Sequence, residues 1–132
     1  MNYEERTFLT WKERSFSEYT IMLLTKLEPR YERAYTTIWD ELDDVNDIIF
    51  ISKGTLVVGY ELNRIKKYSL VMKDKAIVGA HDVTFCKQSQ FVYTTLTNIE
   101  GFFIRRENWY EILCENPDIA PQIILKIEMN YI

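Results

Sequence analysis

The sequence has few of the residues from which metal centres and disulfide frameworks are built. It contains one histidine, His81, and two cysteines, Cys86 and Cys114, which form no CxxC motif. A metal site needs several ligands at workable spacing, so a metal-dependent enzyme is disfavoured. The pattern predicts that both cysteines are reduced cytosolic thiols, with a disulfide between them as the alternative.

Long apolar runs are also missing. The longest are Ile48–Ile51 and Ile21–Leu24, far short of the roughly 20 residues that a membrane-spanning helix needs. Residues 1–15 are charged throughout, so they do not resemble a secretory signal. If the protein works at a membrane, the membrane part is expected outside this chain.

An excess of positive charge is absent as well. The formal net charge is −4, and the basic pairs Lys66-Lys67 and Arg105-Arg106 form no common stripe. Both pairs are interpreted as solvated strand ends. A nucleic-acid partner is therefore disfavoured.

What is present is the material for one folded domain. The 132 residues suffice for a single core, and 47% of them are hydrophobic and 14% aromatic. Such a composition is typical of a globule rather than of a disordered tail. Nine tyrosines and seven phenylalanines indicate strand surfaces and a compact aromatic core.

Residues 6–28 have the spacing of one helix face. Ser17 is a candidate N-cap for a second helical segment, and Pro29 is expected to end that segment. The apolar positions of the face are Phe8, Trp11, Phe16, Tyr19, Met22, Leu23 and Leu27.

From residue 34 to residue 105 the pattern changes to short β-branched or aromatic runs separated by turn residues. Seven such strands at regular spacing predict a barrel, roll or sandwich. Gly54 lies at one turn, where a positive φ is cheap for glycine. The predicted strands are Ala34–Trp39, Asp47–Ser52, Thr55–Leu62, Lys67–Met72, Lys75–Gly79, Phe91–Thr97 and Gly101–Arg105.

After Arg106 the helical pattern returns. Asn108 is a candidate N-cap for a helix over Trp109–Cys114, and Pro117 is expected to break it. Ile119, Ile123 and Ile127 form the apolar face of a second helix, with Tyr131 as a further candidate. This helix is still in phase at Ile132, so we expect the chain to be a fragment of a longer protein.

Three segments match known motifs: Leu23–Pro29 resembles LLxxLxP, Asp43–Val57 resembles GDxxxxMYFIxxGxV, and Ile104–Leu113 resembles LxRxxFxxIL. Taken in order, these segments resemble those of cyclic-nucleotide-binding domains. Together they cover nearly the whole chain. Within this family the sequence looks most like the homology domains at the cytosolic end of protist voltage-gated potassium channels.

The resemblance implies a mainly β fold with flanking helices, namely a double-stranded β-helix or β-roll preceded by N-terminal helices and followed by two C-terminal helices. Residues 1–30 would be the helical segment from the channel linker, and residues 31–132 the roll. The implied function is a non-catalytic regulatory domain on the cytoplasmic face of a membrane. Its implied partners are the linker and pore of a homotetrameric channel.

The resemblance also locates a phosphate-binding cassette, whose pattern is degenerate here. In ligand-binding relatives a glutamate contacts the ribose and an arginine pairs with the phosphate. The glutamate position holds Ala80 and the arginine position holds Ser89, while Phe91 replaces a small residue. The candidate ligand-binding residues are Val78, Gly79, Ala80, His81, Asp82, Ser89, Gln90 and Phe91.

A cyclic nucleotide is therefore a disfavoured ligand and no cofactor is expected. Each lost charge-assisted contact costs roughly 1.5–3 kcal/mol, and Asp82 would repel the phosphate. His81 is either a pocket group that titrates near neutrality or a hydrogen-bonded loop histidine. The alternatives to a channel regulator are a working sensor of a cyclic nucleotide or other small molecule, and a scaffold module outside channels.

Overall fold

A computed structural model describes the backbone of residues 3–129 and the side chains of residues 15–129. Within this range the chain forms four helices and eight strands. The helices are α1 (Tyr3–Lys26), α2 (Ala80–Thr84), α3 (Arg106–Glu115) and α4 (Ala120–Met129). The strands are β1 (Glu28–Glu32), β2 (Thr37–Trp39), β3 (Asp47–Lys53), β4 (Leu56–Leu62), β5 (Ile65–Met72), β6 (Ile77–Val78), β7 (Val92–Thr95) and β8 (Ile99–Arg105).

The strands form two four-stranded sheets. The first sheet has the order β1-β8-β3-β6 and the second has the order β2-β7-β4-β5. Every strand pair is antiparallel. The prediction of a mainly β fold with flanking helices is confirmed.

The core consists of aliphatic side chains closed by an aromatic pair. Trp39 and Tyr93 meet edge to face, with their ring centroids 5.2 Å apart. Burial of each large aliphatic side chain contributes roughly 1.5–3 kcal/mol, so this cluster is the main source of stability. Its fully buried members include Ile48, Ile49, Ile51, Leu56, Val78, Ile99, Ile104 and Ile112.

The N-terminal helix is continuous, which corrects two predictions. Helix α1 passes through Ser17 without a break, so Ser17 caps no second segment and the expected N-terminal helices are one helix. The helix ends at Lys26, before Pro29, which lies in β1 and pairs with Phe102 of β8. Proline is tolerated in β1 because that strand is an edge of its sheet. The side chains of Phe8 and Trp11 lie outside the described residues.

Most strands agree with the sequence pattern, but several bounds differ. Strand β1 was not predicted, and the strand predicted over residues 34–39 is reduced to Thr37–Trp39. The strand predicted over Lys75–Gly79 is reduced to Ile77–Val78, because Lys75 and Gly79 have positive φ. Tyr35 has a left-handed φ of 63°, which turns the chain before β2. The turn predicted at Gly54 is confirmed (φ 124°), and a further turn lies at Asn63-Arg64 (φ 53° and 65°).

The C-terminal part contains the two predicted helices. Helix α3 begins at Arg106 and not at Trp109, and its N-cap is Arg105 and not Asn108. The reason is that β8 leads directly into the helix and the Arg106 amide donates to the Asn46 carbonyl at 2.8 Å. It ends at Glu115, before Pro117. Helix α4 follows with Ile123 and Ile127 half-buried, while Tyr131 lies outside the described residues.

Over the described residues, every helix is too short or too polar to cross a lipid bilayer. Cys86 and Cys114 are both free thiols.

Candidate functional site

The end of β6 and the segment between β6 and β7 contain every candidate ligand-binding residue, and a glycine sets the geometry of this segment. Val78 is fully buried at the end of β6, and Gly79 then adopts a left-handed φ of 85° and caps α2. A Cβ at Gly79 would lie 2.7 Å from the Asp47 carbonyl oxygen and 2.7 Å from the ring of Trp39. Only glycine fits both the torsion and the space, so this position fixes where α2 starts.

Helix α2 carries a buried carboxylate. Asp82 lies in its first turn and is 4% exposed, and its Oδ1 atom accepts no hydrogen bond. Burial raises the pKa of Asp82, while the neighbouring charges of His81 and Lys87 act in the opposite direction. The carboxylate occupies the turn in which an anion would bind to the helix, so its charged form would repel a phosphate.

His81 belongs to this helix, so the interpretation as a loop histidine is wrong. Its ring is half-buried and packs against Phe85, with the ring centroids 4.7 Å apart. The Nδ1 atom of His81 lies 3.8 Å from Oδ1 of Asp82. That separation is too long for a hydrogen bond, so the two side chains interact mainly through charge when His81 is protonated.

Ser89 is turned inward and its hydroxyl group is used by its own loop. The side chain is fully buried, and Oγ donates to the Phe91 carbonyl at 2.7 Å. The Ser89 backbone accepts from the Leu42 amide at 2.8 Å and donates to the Asp43 carbonyl at 2.9 Å. Gln90 beside it is exposed. The position implied for the phosphate-binding arginine therefore holds a short, satisfied side chain.

Ala80 and Phe91 complete the candidate residues. Both are half-buried and pack against the core cluster. The Ala80 side chain has no acceptor for a ribose hydroxyl, and the Phe91 ring adds apolar volume beside Ser89. The candidate residues therefore offer mainly apolar surface, with the Asp82 carboxyl group and the His81 imidazole as their ionisable groups.

Helix α3 is hydrogen-bonded through two aromatic side chains to α2, which is called the cassette helix below. The indole Nε1 of Trp109 donates to Oγ1 of Thr84 at 3.0 Å. The Tyr110 hydroxyl donates to the Val83 carbonyl at 2.6 Å and lies 2.8 Å from the thiol sulfur of Cys86. Burial, with help from the Cys86 contact, raises the pKa of Tyr110.

These contacts were missed at the level of sequence. The sequence pattern places Trp109 only at the start of a helix, and it predicts no contact for Thr84 or Tyr110. A buried indole needs an acceptor, which is a signal that a partner exists. The sequence does not show which of the many hydroxyls and carbonyls supplies it.

The same face of α3 contacts α1. Tyr19 meets Trp109 edge to face, with ring centroids 6.3 Å apart. Asn116, just after α3, directs its amide nitrogen to the Met22 sulfur at 3.3 Å and to the Ile112 carbonyl at 2.8 Å. Trp109 therefore contacts both the cassette helix and the N-terminal helix.

A polar cleft of about 430 Å³ lies elsewhere, between the end of α1 and the start of α3. No candidate cassette residue lines it. Arg105 at its wall forms a bidentate pair with Glu28, with N–O distances of 2.8 and 3.2 Å. Within the described part of the chain, no three histidine, cysteine or acidic side chains form a metal-binding group.

Comparison with known proteins gives a consistent architecture. No family model and no curated protein matches the sequence. Among solved structures, the C-linker and cyclic-nucleotide-binding homology domain of zELK channels, crystallised in the presence of cAMP, matches with a TM-score of 0.74 and 14% identity. The match covers 86% of this chain and 58% of that one.

Two further structures agree. The Thermus thermophilus catabolite activator protein matches with a TM-score of 0.71 and 12% identity, over 85% of this chain and 53% of that one. The regulatory domain of Toxoplasma gondii PKA with cAMP matches with a TM-score of 0.68 and 13% identity, over 72% and 36%. The fold is the cyclic-nucleotide-binding β-roll. The chain spans only about a third to three-fifths of these proteins' lengths, and such low identities establish the fold of the β-roll alone.

Proposed function

We propose that this β-roll is a non-catalytic regulatory domain whose cassette no longer holds a cyclic nucleotide. The proposal rests on the residue found at the position that the resemblance assigns to the phosphate-binding arginine. Ser89 is fully buried there and its hydroxyl is bound to Phe91 of the same loop. A ligand phosphate would find no cation at this position.

The neighbouring residues act in the same direction. Ala80 has no acceptor group, and Asp82 places a carboxyl group in the first turn of α2. Each missing charge-assisted contact removes about 1.5–3 kcal/mol of binding free energy. Two of them weaken affinity by roughly two to four orders of magnitude.

The cassette is instead connected to the rest of the domain. Thr84 of α2, Trp109 of α3 and Tyr19 of α1 are in sequential contact. A displacement of α2 would change the environment of Trp109, which packs against α1. We infer that the cassette serves transmission between these helices.

The proposed setting is the cytoplasmic face of a membrane, in a voltage-gated potassium channel of the protist type. The sequence resemblance and the similarity in fold to the zELK channel structure support it. The linker and pore of a homotetramer would be its partners, with residues 1–30 as the segment that joins them to the roll. The full coding sequence tests this setting, since a gene without membrane spans would favour a scaffold module.

The second candidate is a working sensor of cyclic nucleotides. It is favoured by Gly79, which still builds the turn into α2, and by the cAMP in the Toxoplasma gondii structure of similar fold. Its weakness is the absence of a cation at Ser89.

A competition titration with a fluorescent cyclic nucleotide separates the two functions. We expect no saturable binding at millimolar ligand. The matched variant is the double substitution Ala80→Glu with Ser89→Arg, which introduces the glutamate and the arginine of the ligand-binding relatives. Its melting temperature shows whether it folds. Micromolar binding by the unmodified chain, competed by unlabelled ligand, would contradict the proposal.

A further inference from the structure

The distal half of the β4–β5 hairpin has no covering layer on either side. Residues 60–69 are ten consecutive exposed positions, whereas β4 begins with the fully buried Leu56. The hairpin turns at Asn63-Arg64, where both residues have positive φ. A two-residue turn of this kind keeps the two strands closely paired. The hairpin therefore projects from the body of the roll as an ordered element.

The end of this hairpin is apolar. Leu62 and Ile65 are paired across the turn and are 50% and 61% exposed. Tyr60 lies on the same face, two residues further back, and is 44% exposed. Large aliphatic side chains at the tip of a projecting element do not add to the hydrophobic core. Their exposure therefore needs another explanation.

Basic side chains surround the apolar tip. Residues 60–69 contain three basic residues, Arg64, Lys66 and Lys67, and one acidic residue, Glu61. The whole chain, by contrast, carries a net charge of −4. Lys66 pairs with Asp40 at 3.6 Å. Among the described side chains, no carboxylate forms an ion pair with Arg64 or Lys67. Glu41 also contacts the hairpin, where its carboxylate accepts from the Glu61 amide at 2.7 Å. Arg64 and Lys67 are thus the basic side chains near the apolar tip that no ion pair within residues 15–129 neutralises.

From this arrangement we propose that the hairpin tip, residues 60–67, docks onto an anionic lipid bilayer surface. The apolar pair Leu62 and Ile65 would enter the boundary between headgroups and acyl chains, and Arg64 and Lys67 would contact anionic headgroups. Strand residues rise about 3.4 Å each, so Tyr60 lies about 7 Å behind the tip pair. This places its ring at the headgroup level, where tyrosine is favoured, and matches the burial depth of about 5–10 Å typical of interfacial elements.

The alternative partner for this hairpin is an acidic peptide that adds as a strand to β5, which is an edge of its sheet. Such a strand would hydrogen-bond along the whole edge and would place no demand on the turn. The apolar and basic side chains are instead concentrated at the turn end of the hairpin. The membrane surface accounts for this placement and the peptide does not.

Vesicle sedimentation tests the proposal. The chain is mixed with vesicles of phosphatidylcholine containing phosphatidylserine, and separately with vesicles of phosphatidylcholine alone. We expect binding to the first and not to the second. The variant Leu62→Asp with Ile65→Asp should bind at least tenfold more weakly, and Arg64→Ser with Lys67→Ser about twenty-five-fold more weakly, at about fivefold per basic residue.

The matched control replaces an exposed leucine and isoleucine of α1. Leu24 and Ile21 are each 62% exposed, and Ile21→Asp with Leu24→Asp should leave vesicle binding unchanged. Melting temperatures verify that all three variants fold. Absence of binding to the anionic vesicles, or equal binding by the tip variant, would overturn the proposal. Displacement of the chain from vesicles by polyglutamate would assign the hairpin to an acidic peptide instead, if Arg64→Ser with Lys67→Ser abolishes polyglutamate binding in solution and Leu62→Asp with Ile65→Asp leaves it unchanged.

Discussion

The hydrogen bond between Trp109 and Thr84 offers a direct test of how the cassette helix is held. Thr84→Val keeps the shape of the side chain and removes the hydroxyl that accepts from the indole Nε1 at 3.0 Å. Trp109 is 3% exposed, so water cannot easily replace the lost acceptor. The variant therefore leaves a buried donor unsatisfied.

Such a donor costs about 1–3 kcal/mol of unfolding free energy. For a domain of this length that corresponds to a fall in Tm of roughly 4 °C per kcal/mol. In the background of Trp109→Phe, which has no donor, Thr84→Val should be neutral or slightly stabilising. The difference between the two backgrounds measures the interaction itself.

Urea denaturation followed by far-ultraviolet circular dichroism gives the four free energies of this cycle. Thr84→Ser is the control, since it retains the acceptor and loses one methyl group. The reasoning fails if Thr84→Val costs the same in the presence and in the absence of the indole.

Two other substitutions test the segment that follows β6. Burial raises the pKa of Asp82, so the folded domain is favoured when this carboxyl group is protonated. The resulting contribution to the free energy of unfolding is fully present below the unfolded pKa of Asp82. It is lost as pH rises through the higher folded pKa. Asp82→Asn should therefore raise the free energy of unfolding in urea denaturation at neutral pH by about 1 kcal/mol and give no gain in acid. An equal gain at both pH values would be inconsistent with a buried titrating carboxyl group. Gly79→Ala should cost at least about 2 kcal/mol through its left-handed φ and its contacts with Asp47 and Trp39, and an unchanged Tm would show that the turn is not fixed as described.

The sequence predicts the strands that have a periodic buried face. Strands β3 and β4 alternate enough aliphatic residues to be recognised. Strand β1 is not recognised from the sequence because it contains Pro29 and alternating charges. Its stability comes from pairing with β8, which lies far along the chain. The start of α3 was misplaced for a similar reason, since Asn46 of another loop accepts from its first amide.

The resemblance assigns the candidate residues to positions in the chain, but the sequence does not predict their contacts. The sequence pattern places Gly79 at the end of one predicted strand and Ser89 before the next. It does not indicate that Ser89 turns inward to Phe91, or that Thr84 accepts from Trp109. Those contacts depend on loop and helix packing between residues that are distant in the chain.

The position of β8 has a consequence for the order of assembly. This strand lies between β1 and β3, so the first sheet stays incomplete until residues 99–105 are available. The β4–β5 hairpin can close on its own within microseconds. At a ribosome that adds about 5–20 residues per second, β1 would wait on the order of several seconds for its only partner in that sheet. Its open edge, and that of β3, would meanwhile be accessible to chaperones, and a chain truncated before Ile99 would retain them.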